Sequence, residues 1–399
     1  MKDLAFAALV AFVFSLPLEN SVVLPGAGTI SRLVGVVAVV LGLGALFSPG
    51  RPGVRRPSLL LVAMGIFVFW SSVSYFWSIN PGVTLDQSLT FVQLFAMAWL
   101  VWQLCQTPEE QQTLLQAYVL GALVSTSTSV ANFAAENAQE SYNRFYATGF
   151  DPNNFATTLA LGIPMAWFLT SSHRHRLFYW LNLIYIPWAM FVIVLSASRG
   201  GFLVTAIALA IIPLTYAKLS LRRKLGFLLL LTAGTYLLFQ LSGDIQSRLM
   251  PNLERLSSTT TELTKGTLNS RTKIWAAGLE VFTHSPRPWL GSGSGTFDYA
   301  VEPLLDRPRA SHNAYLSVLV DLGLVGFVLF LSFFVVALVP ALRTPQRVFY
   351  FVLAFSLLVA LMPLSWETSK LTWFILSLLT TQKAYVLESA KRSLVRAWG

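Results

Sequence analysis

The apolar residues of this 399-residue chain come in successive blocks, most of them about 20 residues long, separated by short polar connections. A helix of that length crosses the roughly 30 Å hydrocarbon core of a bilayer. Only 12% of the residues are charged, whereas soluble domains carry about 25%. The blocks also lack the alternation over about ten residues that an outer-membrane barrel requires. Because a chain in lipid must satisfy its backbone hydrogen bonds internally, the sequence predicts an all-α polytopic membrane bundle.

The apolar blocks predict about twelve transmembrane helices and divide the chain into three parts. Residues 1–242 are expected to form a bundle of spans 1–9, residues 243–312 a partly helical loop domain, and residues 313–399 spans 10–12 with a tail. The first block lacks an A-x-A cleavage site and precedes many others, so it is expected to remain as a helix. The predicted spans are 4–18, 28–47, 58–78, 87–105, 113–134, 152–170, 178–197, 200–217, 225–242, 313–339, 347–363 and 369–387.

Basic residues give the predicted orientation. With the N-terminus in the cytoplasm, sixteen lysines and arginines fall on the inside and four on the short outside connections, namely Arg32, Arg144, Arg199 and Lys370. The positive-inside rule therefore places both termini in the cytoplasm and the loop 243–312 in the periplasm. The net charge of +10 is assigned to loops that face anionic lipid rather than to nucleic acid.

Residues 243–312 form a predicted outside loop of about 70 residues, a length that is uncommon unless the loop has a function. Asn269–Phe282 predicts a helix with Asn269 as its N-cap. The later Gly291-Ser-Gly-Ser-Gly295 is a weak match to a nucleotide loop, because no Lys-Ser/Thr follows it and no strand precedes it.

Arginines on the predicted outside face are candidate anion ligands. Arg199 follows Ser198 in a sharp turn between two spans, where a charge is costly unless it has a function; the alternative is an arginine that reaches the lipid interface. Arg271 begins the loop helix, where a guanidinium and free amide groups together suit a phosphate. The alternative there is a solvated surface arginine.

His312 and Arg309 precede the tenth span, and His312 is a candidate base because a histidine can be neutral near pH 7. The alternative is a structural histidine.

Asp151-Pro-Asn-Asn154 resembles an ordinary start of a helix. Asp321, inside a span, is weak support for a transporter because the sequence offers it no partner. The single cysteine, Cys105, excludes an internal disulfide and a cysteine metal cluster, and we expect no metal and no cofactor.

Several short motifs together resemble the O-antigen ligase/polymerase superfamily of bacterial envelope glycosyltransferases. Each motif is weak alone, but their order, spacing and common predicted side make the set specific over about residues 140–320. The motifs are Arg144 with Gly149-Phe-Asp-Pro-Asn153, Ser198-Arg-Gly-Gly201, Ser270-Arg-Thr272, Leu290-Gly-Ser-Gly-Ser-Gly-Thr-Phe297 and Ser311-His-Asn-Ala-Tyr-Leu316.

The resemblance implies a metal-independent, inverting glycosyl transfer on the periplasmic face of the inner membrane. The donor would be an O-antigen glycan on undecaprenyl pyrophosphate, and the acceptor of a ligase would be lipid A–core oligosaccharide. By the same resemblance, His312 would activate the acceptor hydroxyl. The resemblance also implies that four arginines bind the pyrophosphate: Arg199, Arg271, Arg144 and Arg309. The residues implied to support the site are Asn313, Tyr315 and Ser198.

Within the superfamily, the sequence favours a ligase over a polymerase because only one outside loop is well developed and the 135–152 loop is short. The compact length, with no large domain after the last predicted span, disfavours a protein glycosyltransferase. A transporter or flippase for polyanionic lipid is the alternative of a different class. It predicts paired charges or broken helices within the spans.

Overall fold

The computed structural model describes most of the chain. The described residues are 1–21, 23–24, 26, 28–46, 48, 54–135, 137, 144–172, 176–216, 220–221, 224–226, 228–229, 232, 250–254 and 271–381. Most of the predicted ninth span, most of residues 243–270 of the predicted loop with the predicted N-cap Asn269, and the C-terminal tail therefore lie outside the described residues.

Helices account for nearly all regular structure in the described residues. They are α1 (Lys2–Ser15), α2 (Ile30–Leu46), α3 (Leu59–Val73), α4 (Pro81–Leu104), α5 (Pro108–Ala134), α6 (Pro152–Ser172), α7 (Arg176–Ser196), α8 (Arg199–Leu209), α9 (Ile211–Tyr216), α10 (Arg271–Thr283), α11 (Phe297–Leu305), α12 (Ala314–Ala341), α13 (Arg347–Ala360) and α14 (Lys370–Thr381). Short 3₁₀ turns follow α1 at Leu16–Leu18 and α3 at Ser74–Trp77. A two-residue hairpin pairs β1 (Val23–Leu24) with β2 (Gly28–Thr29), antiparallel.

The helical fold class is confirmed. Each predicted span that falls on the described residues coincides with a helix or with two consecutive helical segments. Among the described residues, five segments are long and apolar enough to cross a membrane, and three shorter ones are apolar. They are Leu59–Trp77, Pro108–Ala134, Arg176–Ser196, Arg199–Tyr216 and Ala314–Ala341, then Ile30–Leu46, Arg347–Ala360 and Lys370–Thr381. The count of twelve spans and the three-part division stay predictions.

Helix starts follow from local sequence. Thr107 caps α5 in a capping box, in which its side chain accepts from the Glu110 amide and the Glu110 carboxylate accepts from the Thr107 amide. Asn80 caps α4 and Ser58 caps α3 by the same kind of side-chain acceptor. At the centre of the bundle, α6 is buried along nearly its whole length and packs against α5, α7, α8 and α13.

The long helix α12 is broken at Gly323, which has a φ of 66° and a ψ of −168°. A break frees carbonyl and amide groups that the helix would otherwise pair. The segment 288–293 replaces the missing partners: Ser292 and Gly293 donate to the carbonyls of Val320 and Asp321 at 3.0 and 2.9 Å, and Leu324 donates to the carbonyl of Pro288 at 2.9 Å. The Trp70 indole donates to the carbonyl of Leu322 at 3.0 Å.

This pairing requires glycine at Gly291, because a Cβ there would overlap the backbone of Asp321 and Gly323. The glycine-rich segment is therefore a packing element against the broken helix. The Ser294 amide donates to the Ser74 hydroxyl, and the Thr84 hydroxyl donates to the Ser294 carbonyl, so the same segment is attached to α4 and to the turn before it.

Connections that the topology predicts on the outside all meet at one end of the bundle. Their mutual contacts are the ion pair between Lys370 and Glu19, and hydrogen bonds from Ile79 to Ser292, from Phe145 to Leu195, from Trp366 to Asn154 and between Ser311 and Ser365. At the opposite end, Lys2 pairs with Glu110 at 3.2 Å. The grouping agrees with the predicted topology, while the side of the membrane on which each end lies stays a prediction.

We expect Gly291→Ala to destabilise the protein more than Gly26→Ala. Both glycines have positive φ, so each alanine costs roughly 1–2 kcal/mol in backbone strain. Only Gly291 is enclosed, which adds roughly 1–3 kcal/mol of overpacking, whereas a Cβ on Gly26 meets nothing within 4 Å. Thermal unfolding in detergent measures the difference. Equal melting temperatures for the two variants would contradict the role given to the Gly291 contact.

Candidate functional site

The first element of the site is the start of α6. The Asp151 carboxylate caps this helix by accepting hydrogen bonds from the amides of Asn153 and Asn154 at 2.9 and 3.0 Å. The Asn154 side chain accepts from the Trp366 indole at 2.9 Å, which ties the turn to the connection between α13 and α14. Asp151 itself stays exposed, so its carboxylate faces outward from the end of the bundle while it caps the helix.

The second element is the turn between α7 and α8, which contains Ala197, Ser198 and Arg199. Ser198 caps α8 by accepting from the Gly201 amide at 3.1 Å, and its hydroxyl donates to the Asn153 side chain at 2.9 Å. Ala197 has a φ of 48°, a left-handed conformation that costs a residue with a side chain roughly 1–2 kcal/mol. The turn is therefore held in a strained shape beside α6.

The third element is Arg144, which lies in the connection before α6 and is 5% exposed. Its Nε donates to the carbonyl of Ser196 at 2.8 Å, and the neighbouring Phe145 amide donates to the carbonyl of Leu195 at 2.9 Å. Both bonds reach the last residues of α7. Arg144 is thus fixed against the turn that holds Arg199.

The fourth element is the segment 311–314 before α12. His312 has a φ of 46°, and its strained backbone is flanked by residues with several hydrogen bonds. Ser311 accepts from the Trp275 indole through its carbonyl at 2.9 Å, and its hydroxyl lies 3.0 Å from that of Ser365. The Ala314 amide donates to the carbonyls of Leu361 and Leu364 at 3.0 and 2.9 Å.

Helix α10 brings Arg271 to the same place. Its buried face packs with α11 and the first turns of α12 in a separate small core of Ile274, Ala277, Phe297, Val301, Leu316 and Val320. Arg271, the first residue of α10, is partly buried at the end that faces the bundle. The small core therefore fixes α10, and with it Arg271, relative to α12 and His312.

Charges from all these elements act on one another. Burial lowers the pKa of Arg271, Asp151 raises it and Arg144 lowers it. Partial burial lowers the pKa of His312 and Arg271 lowers it further, while Asp151 and Asp298 raise it. Burial raises the pKa of Asp298, which His312 opposes. The exposed imidazole therefore lies in a cluster of two arginines and two carboxylates, with a pKa that favours its neutral form.

A second acidic group lies behind this cluster. Asp321 is 5% exposed and accepts from the Gly295 amide at 2.9 Å, and Glu367 is 6% exposed. Within the described residues, one oxygen of each carboxylate has no hydrogen-bond partner, Oδ1 of Asp321 and Oε2 of Glu367. Burial raises the pKa of Glu367 to about 7, and Asp298 adds to the shift. Glu367 acts electrostatically on Asp321, but it lies in the connection between α13 and α14. That Asp321 has no partner within a span therefore stays a prediction.

Comparison with known proteins follows this geometry. Residues 183–331 match the family described as Wzy_C: O-Antigen ligase. This match, over just over a third of the chain, supports the O-antigen ligase/polymerase superfamily that the sequence motifs resemble. The matched segment runs from within α7 to within α12 and contains Arg199, Arg271 and His312, whereas Arg144 and Asp151 precede it. None of the curated proteins matches this chain.

The structure brings together only some of the predicted residues. Arg144 acts electrostatically on Arg271, and Arg271 and Asp151 act on His312. Arg199 begins α8, half-buried in the turn that Arg144 contacts. Arg309 lies partly exposed in the loop before His312, and among the described residues it has no contact with the other site residues.

The supporting residues have local roles. The Asn313 side chain caps α12 by accepting from the Leu316 amide at 3.1 Å, which fixes the residue after His312. The Tyr315 hydroxyl donates to the carbonyl of Leu358 at 2.7 Å, inside the bundle. Ser198 caps α8 as described above. Among the described residues, no three His, Cys, Asp or Glu side chains are grouped as a metal site would need; the absence of a metal stays a prediction.

Sequence reasoning missed Asp151 and Asp298 as neighbours of His312. The prediction that Asp151 begins a helix is confirmed by its capping bonds, and its position in the same motif as Asn153 is the signal that points to the site. Asp298 lies three residues after the last glycine of the Gly291–Gly295 segment. No pattern in the sequence connects it to His312, because the contact depends on how α11 packs against α12.

We expect the pKa of His312 to lie below the ordinary 6.5 and to respond to its charged neighbours in opposite directions. Arg271→Gln removes a positive charge and raises the pKa, whereas Asp298→Asn removes a negative charge and lowers it further. Histidine NMR titration in detergent, assigned with His312→Gln, measures both shifts. Arg307→Gln, an exposed arginine of the same segment, is the matched control and leaves the pKa unchanged. Shifts of the same sign in the first two variants would refute the cluster.

We expect Glu367→Gln to remove a pH-dependent loss of stability. A carboxyl whose pKa is raised from 4.5 to about 7 stabilises the fold fully below about 4.5, and that contribution is lost as the pH rises through 7. The glutamine variant should therefore melt at a higher temperature than the parent at pH 8, and the two should converge at pH 5. Glu302→Gln, an exposed glutamate, is the control. A constant difference at all pH values would exclude a shifted Glu367.

Proposed function

We propose that this protein is an O-antigen ligase of the bacterial inner membrane. It would transfer O-antigen polysaccharide from undecaprenyl pyrophosphate to lipid A–core oligosaccharide on the periplasmic face, without a metal and with inversion. The observation that carries the proposal is the charge cluster in which Arg271 and two carboxylates, Asp151 and Asp298, act electrostatically on His312. The family match supports the superfamily, and the arrangement supports a group transfer at an anionic leaving group.

The proposed roles follow from the charges. Arg144, Arg199 and Arg271 would bind the pyrophosphate of the donor, because fixed guanidinium groups neutralise an anion and stabilise it as it departs. Arg144 and Arg271 are already in electrostatic contact, and Asp151 offsets part of their mutual repulsion. A pyrophosphate between them would replace that repulsion with attraction. Arg309 is a weaker member of this set, because no contact among the described residues connects it to the others.

His312 would act as the base. In this mechanism the acceptor hydroxyl oxygen forms a bond to the anomeric carbon, and the bond from that carbon to the pyrophosphate oxygen breaks. The hydroxyl proton passes to the neutral imidazole, and undecaprenyl pyrophosphate leaves with the bonding electron pair. Burial and Arg271 lower the pKa of His312, so the imidazole is free to accept a proton at neutral pH. Asp151 and Asp298 would then stabilise the imidazolium.

A ligase is preferred to a polymerase because one outside segment carries most of the site. Residues 271–312 contribute Arg271, Asp298 and His312, whereas the 144–151 connection lies flat against the end of α7. Two well-developed outside loops, which favour a polymerase, are not found among the described residues. The acceptor itself is the difference between the two reactions, and only product analysis separates them.

A transporter or flippase is the second candidate, because two observations meet its expectations. Helix α12 is broken at Gly323, and the buried Asp321 faces a second carboxylate, Glu367. In the structure, however, the backbone groups freed by the break are paired with the segment 288–293 and with Trp70. The break therefore accommodates a packed segment, and this favours the enzyme.

The deciding experiment is reconstitution in proteoliposomes with undecaprenyl-pyrophosphate glycan and lipid A–core, in the presence of EDTA. A ligase yields glycan on lipid A–core, and a polymerase yields longer glycan that remains on undecaprenyl pyrophosphate. A flippase moves the donor across the bilayer with no new glycosidic bond. Either of the last two results, without glycan on lipid A–core, would overturn the ligase proposal.

We expect His312→Ala to lower kcat by roughly 10²–10⁴-fold while donor binding stays close to that of the parent, because only proton transfer is lost. Arg271→Ala should instead weaken donor binding by roughly 10- to 100-fold, through loss of charge-assisted hydrogen bonds. Single-turnover transfer and donor-binding titrations measure the two effects separately. His284→Ala and Arg307→Ala, exposed residues of the same segment, are the matched controls and retain full activity. Unchanged turnover in His312→Ala would remove its role as base.

A further inference from the structure

A polar cleft of about 240 Å³ opens at the same end of the bundle as the charge cluster. The end of α1, the first turns of α6 and the connection between α13 and α14 form its walls. The residues that line it are Leu16, Glu19, Asn20, Phe150, Asn154, Thr158, Ser365, Trp366, Thr368, Ser369 and Leu371. Pockets for drug-sized ligands have volumes of about 300–1,000 Å³. This cleft is somewhat smaller, and its volume suits a ligand of one or two rings.

Much of the hydrogen-bonding capacity in this cleft is unused. Among the described residues, none pairs with the side chains of Asn20, Thr368 or Ser369. The Asn154 oxygen accepts from Trp366, which leaves the two amide N–H groups of Asn154 free toward the cleft. Two amides and two hydroxyls in one cleft supply both donors and acceptors. That mixture suits the adjacent hydroxyl groups of a sugar, each of which both donates and accepts.

The charges of the cleft exclude an anionic ligand as its preferred occupant. Glu19 is the one acidic residue in the lining, and it forms an ion pair with Lys370, which also donates to Ser31 at 3.0 Å. No arginine lines the cleft. The arginines lie instead on the Arg144 and Arg271 side of Asp151. Phosphate-binding groups and neutral polar groups are therefore segregated within one end of the bundle.

The cleft adjoins the proposed base. Phe150 and Asn154, which line it, flank Asp151, and Asp151 acts electrostatically on His312. On the opposite wall, the Ser365 hydroxyl lies 3.0 Å from that of Ser311, the residue before His312. Asp151 and Ser311 do not line the cleft, but each neighbours a residue that does, so the cleft lies beside the two segments that carry the charge cluster.

We infer that this cleft binds a neutral sugar residue of the acceptor and presents its hydroxyl to His312. The inference rests on the proposed transferase function and adds to it the place of the acceptor. Asn20, Asn154 and Thr368 would hold the hydroxyls of the sugar, and Trp366 and Phe150 would border its ring. The donor pyrophosphate would lie on the other side of His312, at the arginines.

Transfer kinetics in proteoliposomes test the inference with Asn20→Ala and Thr368→Val. Each variant should raise the KM for lipid A–core by roughly 2- to 10-fold, the effect of one neutral hydrogen bond, and leave the donor KM unchanged. Thr113→Val, an exposed hydroxyl on α5 at the opposite end of the bundle, is the matched control. Melting temperature and size-exclusion profile confirm that each variant is folded.

Each outcome of this test bears on the inference. A raised donor KM with an unchanged acceptor KM would assign the cleft to the donor sugar and overturn the inference, as would two unchanged KM values. If the parent transfers no glycan, the proposed function fails and binding of delipidated core oligosaccharide, followed by saturation-transfer NMR, decides on the cleft. If Asn20→Ala and Thr368→Val weaken this binding, the cleft is a sugar site even though the proposed reaction fails. If the oligosaccharide does not bind, or if the two variants bind it as the parent does, the inference is overturned.

Discussion

The hydrogen bonds between the broken helix α12 and the segment 288–293 hold the rest of the site in place. A membrane helix can open only where other groups satisfy its backbone, and here Val320, Asp321 and Leu324 find their partners in that one segment. The same pairing attaches α10 and α11 to the bundle. Together with the small core that packs α10 and α11 on α12, it fixes Arg271 and Asp298 relative to His312.

The functional end of the molecule is built from backbone that is strained and well supported. Among the described residues other than glycine, Ala197, Asp306 and His312 have positive φ, and two of these lie in or beside the site. The support comes from the capping side chains of Ser198 and Asn313 and from the Ala314 amide, which donates to two backbone carbonyls. Strain of this kind persists where surrounding contacts over-determine the shape, which is typical of functional turns.

The site also separates two kinds of chemistry. On one side of His312, Arg144 and Arg271 provide fixed positive charge, which suits a lipid-linked pyrophosphate. On the other side, neutral amides and hydroxyls line a cleft suited to a sugar. Asp151 caps α6 next to Phe150 and Asn154 of the cleft, and it acts on both Arg271 and His312. A glycosyl transfer between a lipid-linked anion and a hydroxyl acceptor needs that separation.

Hydropathy and charge alone determined the helical membrane bundle, because apolar length and basic loops depend only on local composition. The motifs around Arg144, Arg199, Arg271 and His312 likewise led to the superfamily from the sequence. Tertiary structure decided which of these residues act together: it joined His312 to Asp151 and Asp298, turned the Tyr315 hydroxyl into the bundle and gave Asp321 an acidic neighbour in Glu367. These contacts join residues far apart in the chain, and their geometry depends on how helices pack, which no local pattern encodes.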